Sequence, residues 1–253
     1  MQDLAFKDHF SKVSEGYATY RPSYPLELVD TLAGLCAAQN RVLDCGCGTG
    51  QLSVLLAERF DEVIATDASA AQIAKAQEKN GVIYKTALAE QSGLADESVD
   101  LITVAQAAHW LDLETFYKEA SRIAKPHGVL ALITYGVLHV EGAVDVLIQQ
   151  FYYQTLAPYW PAERQHVENG YQSLPFPFAE IKVPTINMQE FWNLDQLIGY
   201  LNTWSAVKEA KNVLGFNPVD PLRVLLIPEW GDPEHKKKVT WPLSIRAGKI
   251  NSQ

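Results

Sequence analysis

The chain predicts an α/β fold built on an open, mostly parallel sheet with helices on both faces. Three observations lead there. Apolar runs of strand length alternate with helical periodicity from Arg41 to Tyr135. A glycine-rich turn over residues 46–50 joins the first of those runs to the helix after it. An acid, Asp67, closes the second run. In such a doubly wound sheet, ligands bind beyond the carboxyl ends of the strands, where the strand order reverses.

The elements follow in order. Residues 1–40 read as helix around a break, because Pro22 and Pro25 interrupt residues 17–25. Apolar spacing predicts a helix over 26–38. Strands are predicted over 41–44, 62–67, 82–86 and 100–105, and a fifth over 129–135 after a turn at 125–128. Helices are predicted over 52–60, 69–80 and 113–124. Beyond Tyr135 the texture changes, with five of the six tryptophans in that part. Residues 142–156 read as a helix, 157–178 as a Pro- and aromatic-rich loop region, 180–188 as a strand and 194–214 as one helix. Residues 239–246 form a last strand, which Pro242 demotes to an edge or a bulge. With no repeat and no flexible linker, residues 1–253 are expected to form one domain. Its parts are an N-terminal segment (1–40), a core (41–136), a helical and loop cover (137–180) and C-terminal strands and helix (181–253).

Composition bounds the function. The 253 residues are 47% apolar and 20% charged, which is globular and not disordered. A chain of this length buries roughly 70–75% of its unfolded surface, so it needs no disulfide or metal to fold. The net charge of −9 repels phosphate backbones and anionic lipid, so no nucleic acid and no membrane are expected as partners. Cys36, Cys45 and Cys47 are too few and too close for a disulfide framework, which points to the cytoplasm. The opening residues have no apolar stretch of signal-peptide type, and no run approaches the length of a membrane span. The six histidines show no metal spacing, so no metal is expected.

The chemistry concentrates in four stretches. In residues 44–50, Asp-Cys-Gly-Cys-Gly-Thr-Gly, the glycines Gly46, Gly48 and Gly50 let the backbone turn and approach a ligand around Cys47. Gln51 stands where a dinucleotide fingerprint wants its third glycine. Asp44 is a poor neighbour for a pyrophosphate and a good one for an ammonium group. Asp67, followed by Ala68, can accept two ribose hydroxyls, or it can simply cap the next helix. Ala89 and Glu90 can hold an adenine edge, or Glu90 is a solvated loop acid. A fourth stretch, Gln106 to Trp110, follows the fourth strand into the crevice. There His109 can orient or deprotonate a nucleophile and Trp110 can face a cation, or both can be packing residues.

Together these stretches resemble the class I S-adenosylmethionine-dependent methyltransferases. Residues 44–50 are similar to that family's first motif, 66–69 to its acidic ribose motif, 89–90 to its adenine motif and 122–130 to its Arg-x-x-Lys-Pro-Gly-Gly stretch. His127 stands where the family has a glycine. Residues 17–25 and 105–112 look like the branch of trans-aconitate methyltransferase, which methylates small molecules. The resemblance implies a Rossmann-like, doubly wound, seven-stranded sheet of order 3-2-1-4-5-7-6 with the last strand antiparallel. It implies S-adenosylmethionine as cofactor, S-adenosylhomocysteine as product and a small-molecule acceptor, with a carboxylate oxygen favoured. Tyr17 and Arg21 then fold over the cofactor, Gln106 runs beside it, and Tyr20, Tyr135 and Trp204 face the acceptor. Two rivals stay open. One is a binding protein that keeps the pocket without turnover. The other is a nicotinamide oxidoreductase, against which Gln51 and Asp44 speak.

Overall fold

The structure, a computed structural model, describes residues 22–250. Its strands are β1 (Arg41–Cys45), β2 (Glu62–Asp67), β3 (Val82–Thr86), β4 (Val99–Ala105), β5 (Ala124–Tyr135), β6 (His139–Val140), β7 (Ala179–Ile181), β8 (Asn187–Trp192) and β9 (Lys237–Lys249). One nine-stranded sheet contains them all, and its neighbours run β3-β2-β1-β4-β5-β9. The first five strands are parallel. β9 is antiparallel to β5, pairing Val129 with Lys249 and Tyr135 with Leu243. β6, β7 and β8 also pair β9 antiparallel. The parallel order and the antiparallel last strand are as the resemblance implies. The extra strands arise because the chain meets β9 in short pieces instead of one continuous strand.

Alternate residues of the central strands enter opposite cores, as a parallel sheet covered on both faces requires. Val42, Val63, Leu101 and Ile133 pack to one side, with α1 (Leu26–Leu35) and α2 (Gln51–Leu56). Leu43, Ile64, Ile102 and Leu132 pack to the other, with α4 (Leu113–Ile123), which follows the single turn α3 (Ala70–Ile73). Each fully buried aliphatic side chain contributes about 1.5–3 kcal/mol. The helices after β6 are α5 (Ala143–Gln150), α6 (Arg164–Glu168), α7 (Leu194–Leu201), α8 (Ser205–Leu214) and α9 (Val219–Trp230). α5 runs directly into a π-helical turn, Phe151–Thr155.

Several elements differ from the sequence expectation, each for a physical reason. The helix expected over 69–80 stops after Ile73, because none of its residues is buried and propensity alone cannot hold so short a helix. The helix expected over 194–214 breaks between Leu201 and Ser205 into α7 and α8. The strand expected over 180–188 is two strands, β7 and β8. α9 went unread because Pro221 and Pro228 signal a break, yet Pro221 lies in the first turn, where an N–H has no partner to lose. The turn expected at 125–128 is a bulge inside β5, where Val99 pairs Ala124 but Leu101 pairs Val129. His127 takes φ +64° within it, the conformation that a glycine would adopt freely. β9 is not an edge strand. Pro242 pairs Asn187 of β8 on one side, while its nitrogen faces the other, where the chain passes from the pairing of Thr240 with β6 to that of Leu243 with β5 and no ladder partner stands opposite.

Asp100 binds the lower end of the sheet together. It accepts the backbone N–H groups of Asn40 (3.1 Å) and Arg41 (2.9 Å), and Lys125 Nζ sits 2.9 Å from one oxygen and 3.0 Å from the other. Asp100→Ala strands two backbone donors and should cost about 2–4 kcal/mol in urea unfolding, whereas Asp100→Asn keeps an acceptor and should cost less.

Candidate active site

The carboxyl ends of β1, β2 and β4 open into a cavity of about 950 Å³. That volume holds a cofactor-sized ligand with room beside it. Of the residues singled out from sequence, Asp44, Gly46, Cys47, Gly48, Asp67, Ala68, Ala89, Glu90, Gln106 and Trp110 line it.

Asp44 forms the floor. It is almost fully buried and accepts the hydroxyls of Ser53 (2.6 Å) and Thr103 (2.8 Å). Burial raises its pKa to about 6, against the lowering effect of those two hydrogen bonds, and Asp67 nearby adds to the rise. No Lys, Arg or His among the described residues pairs with it.

Asp67 holds the glycine loop in place. One oxygen accepts the Gly48 N–H at 2.9 Å and the other the Ser69 N–H at 2.8 Å. The helix cap at this point is Ser69, whose side chain accepts the Gln72 N–H. Asp67 lines the cavity, and each of its oxygens has acceptor capacity beyond the one N–H it takes here. Gly48 has φ +57°, and a Cβ built on it meets nothing within 4 Å. The space beside its backbone is therefore open to a ligand. Glu90 accepts the Asp112 N–H at 2.9 Å and so ties the loop after β3 to the one after β4. Gln106 sits at φ +57°, its amide donating to the Tyr135 carbonyl and accepting from the Thr134 hydroxyl. That non-glycine strain at the end of β4 aims the following residues across the cavity.

Four sequence assignments need correction. Gly50 does not line the cavity. It takes φ +85° at the start of α2, and a side chain there would run into the Tyr84 ring, so packing requires this glycine. His109 does not line it either. Its Nδ1 lies 2.9 Å from the Tyr171 hydroxyl, and burial lowers its pKa to about 4, with Arg164 adding to the shift. Such an imidazole stays neutral and is a weak base, and its ring backs Trp110 at 4.7 Å. Tyr135 is buried against Tyr24 instead, and Tyr24 is the ring that reaches the cavity. Trp204 packs on Phe151, Tyr152, Trp160 and Tyr200 behind the wall. Tyr17, Tyr20 and Arg21 lie outside the described residues.

The sequence reading missed the outer wall. It comprises Tyr24, Tyr159, Trp160, Glu163, Ser205 and Glu209, together with Pro158 and Pro161. Trp160 is fixed from behind: its indole N–H donates to the Tyr152 carbonyl at 3.3 Å, and the Arg164 guanidinium lies 5.0 Å from its ring centre. Arg164 in turn donates to the Tyr152 hydroxyl at 2.6 Å. The only sequence signal for this wall was the aromatic richness of 157–178 and the neighbouring Trp204-Ser205 pair. Among the described residues, no group of three His, Cys, Asp or Glu converges as a metal site, and no helix is long and apolar enough to cross a membrane.

Comparisons with known proteins agree with this geometry. A methyltransferase-domain family matches residues 43–132. A candidate methyltransferase of Dictyostelium discoideum is 35% identical over 204 residues, covering 79% of this chain and 78% of that one. A yeast protein of Saccharomyces cerevisiae named for S-adenosylmethionine-dependent methyl transfer is 33% identical over 131 residues, 48% of this chain and 45% of that one. The solved structure of a candidate type II methyltransferase of Anaeromyxobacter dehalogenans superposes with a TM-score of 0.88 at 45% identity, covering 91% of this chain and 98% of that one. The chain belongs to the class I S-adenosylmethionine-dependent methyltransferases, and S-adenosylmethionine is its cofactor. The residues present suit that group: a buried carboxylate that no described cation pairs, for a cationic tail, and an open backbone approach at Gly48 for a nucleoside.

The raised pKa of Asp44 has a sign that can be checked. An acid whose folded pKa lies above its unfolded value removes stability from the ligand-free protein as pH rises from about 4 to about 6. A cationic ligand beside it favours the ionised form, so affinity should rise over the same window. The Kd for S-adenosylmethionine should tighten by about tenfold between pH 5 and pH 7 in calorimetry, and Asp44→Asn should flatten that dependence.

Proposed function

We propose that this protein transfers a methyl group from S-adenosylmethionine to a small-molecule acceptor, with an amine nitrogen the nucleophile that the cavity suits best. The observation that carries this reading is the charge of the wall. Asp112, Glu163 and Glu209 line the outer cavity, and among the described residues no Lys, Arg or His does. A neutral amine gains positive charge as it takes a methyl group. Carboxylates and the faces of Trp110, Trp160 and Tyr159 stabilise that charge. An amine needs no strong protein base, which accords with the set-back, weakly basic His109. The resemblance of residues 17–25 and 105–112 favours a second reading, a carboxylate oxygen acceptor, while Tyr17 and Arg21 stay assigned to the cofactor.

When bound, the cofactor supplies a methyl group already activated on a sulfonium, which a nucleophile displaces directly. The chain's part is then to hold, align and exclude water. In this proposal Asp44 holds the cationic amino-acid end and Asp67 the ribose hydroxyls. Ala68, Ala89 and Glu90 border the adenine, while Gly46, Cys47, Gly48 and Gln106 give the close approach. Trp110 stands between cofactor and acceptor. One sheet runs through residues 41–249, which supports treating 1–253 as a single domain whose cover is inserted around it. The three unpaired cysteines fit a reducing compartment, and placement in the cytoplasm belongs to this proposal.

Three experiments test it. Asp67→Ala should weaken S-adenosylmethionine binding at least tenfold in calorimetry, because charge-assisted hydrogen bonds are worth roughly 1.5–3 kcal/mol each. Gly48→Val, checked for fold by circular dichroism, should abolish binding; normal binding by either variant removes that residue from the site. Acceptor class is read by radiolabelled methyl transfer to matched panels of small amines and small carboxylic acids. Label in the amines supports the first reading, and label confined to the acids replaces it with the second. On a confirmed acceptor, Trp110→Ala should lower kcat on the order of a hundredfold through misalignment, while His109→Gln should keep the shape of the pH–rate profile.

A further inference from the structure

Tyr171 is both strained and buried. It takes φ +63°, directly after Gly170 at +64°, and its side chain is fully buried. A bulky residue in left-handed backbone is an outlier that persists only where its surroundings impose it. β9 imposes it here: Arg246 donates to the Tyr171 carbonyl at 3.0 Å and to the Leu174 carbonyl at 2.6 Å, and is itself paired to Glu180 at 2.7 Å. The result is a phenol lodged against the short helical turn Ala108–Trp110, its hydroxyl 2.9 Å from His109 Nδ1. The Ala108 backbone and the Thr134 hydroxyl also hydrogen-bond to it. Thr134 in turn donates to the Gln106 side chain at 3.1 Å, and the His109 ring lies 4.7 Å from that of Trp110. Gln106 and Trp110 line the cavity and Tyr171 does not, so this residue of the cover reaches the cavity wall from behind.

We propose that Tyr171 is a positioning residue for methyl transfer: through His109, its hydroxyl fixes how Trp110 faces the reacting groups. This role rests on the placement of Trp110 between cofactor and acceptor. The torsion of an imidazole about its Cβ–Cγ bond is broad, so contact with Trp110 alone leaves the His109 ring free to rock. The bond at Nδ1 removes that freedom, and the strained backbone holds the phenol where it makes that bond. Filling the core requires neither feature, since a phenylalanine on ordinary backbone packs nearly the same volume. Burial pushes the phenol's pKa up, so it stays neutral and acts by geometry alone. A misplacement of about 1 Å at the reacting atoms costs on the order of a hundredfold in rate, so a rocking Trp110 is expensive.

Fluorine NMR of fluorotryptophan-labelled protein, saturated with S-adenosylhomocysteine, tests this without needing an acceptor. The Trp110 resonance is assigned by its loss in Trp110→Phe. Tyr171→Phe, checked for fold by circular dichroism, should broaden or split that resonance and leave those of the other five tryptophans in place. The Kd for S-adenosylhomocysteine should change by less than about threefold. In a His109→Gln background, adding Tyr171→Phe should change nothing further at Trp110, because the two act as one unit. A Trp110 resonance as sharp in Tyr171→Phe as in the wild type overturns the proposal, as does further broadening in the double variant. Should Tyr171→Phe lose its fold, His109→Gln alone decides: a broadened Trp110 resonance supports the proposal and a sharp one overturns it. On an acceptor found by the radiolabel panels, Tyr171→Phe should lower kcat about tenfold with KM nearly unchanged, and an unchanged kcat also overturns it.

Discussion

Asp44 sits almost without solvent at the carboxyl end of the central strand, between a hydroxyl from α2 and a hydroxyl from β4. Burying a carboxylate costs several kcal/mol unless its partners repay the lost hydration. Two neutral hydroxyls repay only part, and the remaining penalty shows as a pKa near 6. The site is thus built in a state that a cation would relieve. Placing Asp44 there also fixes the rest: it locks α2 against β1 and β4, and so sets where the glycine loop between β1 and α2 can run.

The rim repeats the device with exposed loops. Asp67 accepts two backbone N–H groups, from Gly48 and Ser69, and Glu90 accepts that of Asp112. Backbone donors that loops leave free are expensive when buried, so carboxylates that satisfy them also rigidify the loops. The same acids stay on the cavity wall, where a ligand can use their remaining lone pairs. The outer wall is held differently, by rings. Tyr152, Trp204 and Arg164 back Trp160, and the π-helical turn after α5 carries Tyr152. Extra residues in a helix turn of that kind commonly mark a site whose side chains must be re-aimed.

The parallel half of the fold was legible because its signals are local. Val42-Leu43 and Val63-Ile64 are apolar on both faces, and Gly46, Gly48 and Asp67 punctuate them at fixed distances. β2 and β3 have the bounds that the sequence reading predicts. What was illegible depends on contacts far apart in the chain. Nothing in residues 69–80 says that their helix lacks a surface to pack on, and nothing near Gly50 says that Tyr84 will lie over it. His109 and Trp110 are adjacent, yet one lines the cavity and the other turns to Tyr171, sixty-two residues away in sequence. Trp204 was read as touching the acceptor when it supports Trp160, which does line the cavity. Pro221 and Pro228 hid α9 because a proline's effect depends on its place in a helix, which composition does not state.

Proton release on ligand binding addresses the role of Asp44 most directly. Titrating S-adenosylhomocysteine into the protein at pH 6, in two buffers of different ionisation enthalpy, counts the protons exchanged. If the ligand's ammonium settles beside Asp44, wild-type protein should release about half a proton per ligand, since about half of a group with pKa near 6 is protonated there. Asp44→Asn should release almost none. Equal release by both proteins, or none by the wild type, would contradict the placement of the cationic tail against Asp44 and with it the reading of the cavity floor.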